Sequence, residues 1–205
     1  MVAPVKVSDI FFPFGGLNIV EVSANGISKS DEVNVATIFI AQLFLDFAPT
    51  GVGAITVAPE VYIQCTPFAT GNEGWRPVIA PFVAGITTPN SSAVDGTEGI
   101  GETLIEETVT TGLSNGSMVF FKNASLQNSE WNFVQSVSAN VSFTIFDGLT
   151  RAQTGSTWFN QAQYYRPIMD LSGCKRLRAF VNNNRNATAR ACAVRIGMNQ
   201  LTSVA

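Results

Sequence analysis

Histidine is absent from the 205-residue sequence. Triads that use an imidazole base, and metal sites built on imidazole, are therefore excluded. Cysteine is scarce: Cys65, Cys174 and Cys192 are odd in number and far apart. That pattern matches neither a disulfide framework nor a zinc site, so all three are expected to be small buried apolar groups. Charge is sparse too, at 13% Asp, Glu, Lys and Arg against 46% apolar residues. A chain with so little charge must cover its surface with Ser, Thr, Asn and Gln, or bury apolar surface against a partner.

Long hydrophobic runs are missing as well. The longest, over 33–47, is interrupted by Asn34, Gln42 and Asp46 and is too short to span a bilayer. The first sixteen residues, MVAPVKVSDIFFPFGG, are broken by Pro4, Lys6, Asp9 and Pro13 and do not read as a signal peptide. Synthesis in a cytoplasm and no membrane partner are the expectations.

Helical periodicity is nearly absent, and alternation with a period of two recurs between Gly, Pro and Asn. Val57, Pro59, Val61, Ile63 and Cys65 share one strand face. So do Val141, Phe143 and Ile145, and so do Cys192, Val194, Ile196 and Met198. The run over 35–47 is apolar on both faces and predicts a strand covered on both sides, one of them by a neighbouring subunit. Further strands are expected near 17–22, 77–84, 103–110, 117–122, 132–138 and 174–182, a short helix at 158–165 and an exposed acidic loop over 88–102. The pattern predicts an all-β fold: a two-sheet antiparallel sandwich, jelly-roll-like, with long loops. Residues 1–16 read as an extended N-terminal arm and residues 17–205 as a single β-sandwich domain.

Charge is unevenly placed. Residues 1–150 hold fourteen Asp/Glu against four Lys/Arg, whereas 151–205 hold eight bases against Asp170 alone. Arg176, Arg178, Arg190 and Arg195 fall on two strands joined by NNNRN, and Arg176, Arg178 and Phe180 share a face. Such a face can meet an anion or the acidic part of another copy. With an isoelectric point near 4.9 and few bases, nucleic acid is not the expected partner. The carboxylates mark no cleft: Glu106 and Glu107 are adjacent and point apart on a strand. A loop holding Asp95, Glu98 and Glu102 has oxygen ligands for calcium but not the EF-hand spacing. No catalytic residue, cofactor or metal is predicted.

Residues 166–197, RPIMDLSGCKRLRAFVNNNRNATARACAVRIG, resemble the C-terminal hairpin of β-sandwich proteins in tailed-bacteriophage virions. The matching positions are Arg166, Ile168, Asp170, Leu171, Ser172 and Gly173, then Leu177 to Val181 and Ala193 to Ile196. In physical terms Asp170 can bind the turn, Gly173 supplies a positive φ and Leu171 plugs the end of the sandwich. The resemblance implies a structural role in a bacteriophage virion, first of all capsid decoration or cement. Its expected partners are further copies of the chain and other virion proteins such as the major capsid protein. A tail or neck component that grips carbohydrate on Trp75, Trp131 and Trp158 is the alternative, and a glycoside hydrolase on the same scaffold is a third. The expected interface residues are Phe11, Phe12 and Phe14 of the arm with Arg176, Arg178, Arg190 and Arg195 of the basic end.

Overall fold

A computed structural model describes residues 6–51, 57–85, 88–183 and 191–201. The chain first lays down β1 (Lys6–Phe11), β2 (Ile19–Val22), β3 (Ile27–Lys29), β4 (Val33–Asn34), β5 (Ile40–Pro49), β6 (Glu60–Thr66), β7 (Arg76–Pro77) and β8 (Phe82–Val83). A second block follows: β9 (Ser91–Ala93), β10 (Thr97–Glu98), β11 (Leu104–Glu106), β12 (Met118–Lys122), β13 (Glu130–Ser138), β14 (Ser142–Ile145), β15 (Gln153–Thr154) and β16 (Thr157–Phe159). The last strands are β17 (Gln163–Tyr165), β18 (Ile168–Asp170), β19 (Arg176–Asn182) and β20 (Cys192–Leu201). Among the described residues the one helical element is a 3₁₀ turn at Leu126–Asn128, so no helix there is long and apolar enough to cross a membrane.

The first and last blocks form two antiparallel sheets. In the first sheet β20 is flanked on one side by β1 and β2 end to end and on the other by β5, whose far edge carries β17 and β18. In the second, β19 lies between β3 with β4 and β6, and β6 carries β7 and β8. The chain alternates between these sheets, and each has four lanes. This is the eight-lane double Greek key of a jelly roll. The all-β sandwich read from the sequence is therefore the fold.

Alternation explains the core. Leu43, Leu45 and Phe47 of β5 and Val194, Ile196 and Met198 of β20 meet Val61 and Ile63 of β6 and Leu177, Ala179 and Val181 of β19. Each of these side chains except Ala179 contributes roughly 1.5–3 kcal/mol on burial. The turn of the segment that resembles phage proteins forms as its residues predict: Ser172 N donates to Asp170 Oδ1 at 2.9 Å, Gly173 has φ +81°, and Leu171 is buried in the same core.

Residues 84–162, between β8 and β17, build a third sheet in the order β11-β14-β13-β12-β16-β9, with β10 and β15 paired beside it. It curls around its own core of Ile105, Val119, Phe121, Phe143, Ile145 and Trp158. Its other side, through Phe120, Phe159 and Trp131, packs on Ile19, Ala48 and Ala193 of the first sheet. The continuous apolar run of β12 follows, because Phe121 faces one core and Phe120 the other.

Several sequence expectations are corrected here. The run over 35–47 is not one strand: β5 starts at Ile40 and a turn precedes it. Its second face is covered within the chain around Asp46 and Ala48. No helix forms at 158–165; Gln161 sits at φ +62° and breaks the chain between β16 and β17, while Trp158 and Phe159 alternate between two cores. The 88–102 segment contains β9 and β10 and buries Glu98. From Lys6 onward the supposed arm is the edge strand β1, paired with β20. Finally, β19 and β20 do not form a hairpin, because they lie in opposite sheets and pack face to face.

Candidate interaction surface

Phe11 packs edge-on against Phe44 at 5.4 Å between ring centroids. Phe12 and Phe14 are buried in the core of the sandwich, and Phe12 N donates to Ile196 O at 2.9 Å. These two are therefore not surface groups, contrary to their expected place at an interface. Their spacing carried no information about which side of the edge strand would be covered.

The basic strands bring arginines onto the outer faces of the sandwich, where most meet acids of the same chain. Arg176 pairs with Glu32, donates to Phe68 O at 2.9 Å and Gly71 O at 2.6 Å, and stacks on Trp75 at 5.3 Å. Arg195 grips Asp46 Oδ2 through two nitrogens, at 2.9 and 2.6 Å, and Arg166 pairs with the other oxygen of that carboxylate. Asp46 is 1% exposed, so the two guanidiniums are its replacement for water. Lys122 meets Glu21 at 2.6 Å across the junction with the third sheet. Glu32 and Asp46 of the first 150 residues thus hold three of the eight bases of the last 55 inside one molecule. Arg178, like Arg151 and Lys175, has no ion pair among the described residues. Arg190 lies outside the described residues.

The tryptophans are similarly occupied. Trp158 is fully buried and donates Nε1–H to Glu107 Oε2 at 3.0 Å. Trp131 lies between Phe120 at 4.3 Å and Arg195 at 4.9 Å, and Trp75 lies under Arg176 and Arg178. Trp75 and Trp131 are half-buried, and only Trp158 is wholly enclosed. Burial pushes the thiols of Cys174 and Cys192 up to about 12, with Cys65 adding to the effect at Cys174. All three cysteines are unpaired, and Cys174 neighbours Cys65 rather than Cys192. Glu98 is held near 7 by burial and by the Glu102 carboxylate. Among the described residues no cluster of Asp, Glu and Cys has the arrangement of a metal site.

What the sequence reading missed is a ledge on the outer face of the first sheet. The third sheet covers only part of that face. Beyond its rim Phe44 lies flat on β20 where Gly197 has no side chain to obstruct it. Arg166 bridges Phe44 and Tyr164 at 5.9 and 5.4 Å, and Tyr164 meets Phe133 of the third sheet at 5.9 Å. Ile168, 67% exposed, and Ile40 continue the surface along β18 and β5. The signal was present as alternate apolar residues on both faces of β5 and β18, but which part of the second face the third sheet would cover depends on tertiary packing.

No protein-family model matches the sequence, and a search of curated proteins finds no match. Solved structures similar in shape include an endosialidase of phage phi92, at 15% identity and TM-score 0.26, over 82% of this chain and 29% of that one. This chain therefore spans under a third of the endosialidase. Another is VP17, a capsid protein of bacteriophage P23-77, at 10% identity and TM-score 0.23, over 97% and 99% of the two chains. A third is the structure of infectious bursal disease virus, Gx strain, at 10% identity and TM-score 0.19, over 98% and 79%. At these scores none of the likenesses carries an argument about this chain.

Proposed function

We propose that this chain is a structural protein of a bacteriophage virion, most simply a capsid decoration or cement subunit, and not an enzyme. The observation that carries the reading is the exposed apolar ledge of Phe133, Tyr164, Ile168 and Ile40 on the three-sheet body. Contiguous apolar surface of that kind marks a face made to be covered. Of the three tryptophans on which the carbohydrate reading rested, Trp158 is fully buried and Trp75 and Trp131 each carry an arginine over the ring. The jelly roll supports the virion setting only as a scaffold common among capsid and lectin domains. The resemblance of residues 166–197 to virion β-sandwich proteins supports it through the turn at 170–173, which forms as expected, although β19 and β20 do not pair as the hairpin of that pattern. The partners are further copies of the chain and the major capsid protein, and the location is the virion.

Mass photometry of the purified chain, alone and mixed with purified capsids of its virus, tests this. Saturable binding to capsids is the expected result. Binding to isolated tails but not capsids would move the chain to the tail or neck. Binding to neither would sink the proposal.

A further inference from the structure

The outer face of the second sheet is directed away from the third sheet and holds a shallow groove of about 300 Å³, lined by Ile27, Tyr62, Gln64, Arg178, Phe180 and Asn182. Arg178 crosses its floor between Trp75 at 4.0 Å and Phe180 at 4.9 Å. That stack fixes the plane of the guanidinium. Its Nε donates to Gln64 Oε1 at 3.0 Å, whereas its terminal NH₂ groups have no partner among the described residues. Burial draws its basicity below the ordinary value, with Glu32 opposing and Arg176 adding repulsion. A partly desolvated guanidinium with unused, coplanar donors in an apolar groove is suited to a carboxylate flanked by an aliphatic group.

The complementary element belongs to the same chain. Residues 84–162 carry seven acids against two bases, while the remaining residues carry eight acids against ten bases. The turn from Glu98 to Glu102 raises Ile100, which at 73% is the most exposed large apolar side chain among the described residues. Gly101, at φ +87°, allows that turn. Gly99 N donates to Glu102 Oε2 at 2.5 Å, which holds the carboxylate beside the isoleucine. Neither Glu102 nor the neighbouring exposed Asp95 and Glu106 has an ion pair among the described residues.

We propose that a second copy of the chain inserts Ile100 into this groove and sets Glu102 against the terminal NH₂ groups of Arg178, joining the copies head to tail. The inference rests on the self-assembly part of the function proposed above and names its surface. Sign decides for this occupant: two Arg178 grooves face to face would oppose like charges, whereas the tip of one copy and the groove of the next are complementary. A heterologous contact of this type closes into a ring or continues as a filament. The exposed Phe68 and Val83, from the same sheet and its connections, extend the groove towards the roughly 800 Å² per partner of a standard interface.

Sedimentation velocity over a concentration series tests the pairing in the native chain, Arg178→Glu, Glu102→Arg, the double charge reversal and Ile100→Ser, with melting curves for each. The native chain should associate, each single variant at least about tenfold more weakly, and the double reversal should regain most of the loss. Ile100→Ser should weaken association at an unchanged melting temperature, which settles the matter if Arg178→Glu proves poorly folded. Association of Arg178→Glu or Ile100→Ser at native strength overturns this contact while leaving self-assembly intact. A double reversal as weak as the single variants overturns the Arg178–Glu102 pairing. A native chain that stays monomeric, but binds capsids in an Arg178-dependent way, makes the occupant another virion protein and this proposal wrong.

Discussion

At the scale of single residues, burial decides what the charged groups do. Asp46 could be placed in a sheet interior only because Arg166 and Arg195 reach it from neighbouring strands. Glu98 has no such cation. Buried beside Glu102 and Glu106, its carboxyl is pushed from 4.5 up to about 7. Between those pH values the folded chain holds a proton that the unfolded chain has released. Its contribution to stability is therefore fully present below about 4.5 and lost as pH rises through about 7. The melting temperature should accordingly fall between pH 5 and pH 8. Glu98→Gln, which keeps a neutral donor towards Glu102, should flatten that dependence. Thermal melts of both proteins across the range check it, and an equal slope in the variant would remove Glu98 as the cause.

At the scale of elements, the edge strand β1 is the clearest change from what the residues suggest. Val7, Ile10, Phe11 and Phe12 read equally well as an arm for a neighbour or as a strand for the chain's own sheet. The pairing Ile10↔Met198 and Phe11↔Gly197 settles on the second. Deleting residues 2–12 should therefore destabilise the sandwich itself, by about 3–5 kcal/mol from the loss of Phe12 alone, beyond any effect on assembly. Chemical denaturation measures this, and a deletion variant of native stability would return the segment to the role of a free arm. Strand positions were legible wherever one face is buried and the other wet, as in β6, β14 and β19. The Asp170-Leu171-Ser172-Gly173 turn was legible too, because its chemistry is local. Pairing was not: β19 and β20 alternate as two strands of a hairpin would, and nothing in a period of two says whether the returning strand pairs beside its predecessor or packs across a core from it. The 158–165 segment failed for a related reason, since Trp158 and Phe159 serve different cores and imitate a mixed period.

At the scale of the whole molecule, the charge imbalance along the sequence becomes something else in three dimensions. Three arginines of the basic end, Arg166, Arg176 and Arg195, are held by Glu32 and Asp46. The residual asymmetry is instead between the acidic 84–162 block and the jelly roll beneath it. The candidate surfaces are correspondingly two. One is the ledge on the first sheet, legible only once the coverage by the third sheet is known. The other is the Arg178 groove, whose arginine and Phe180 the alternation of β19 had already placed on one face. Both belong to a subunit that works by being covered, and that is the central claim. It is tested most directly by quantitative mass spectrometry of purified virions. A fixed ratio of this chain to the major capsid protein, unchanged from one preparation to the next, is the predicted result; its presence in infected-cell lysates but not in purified particles would contradict the account.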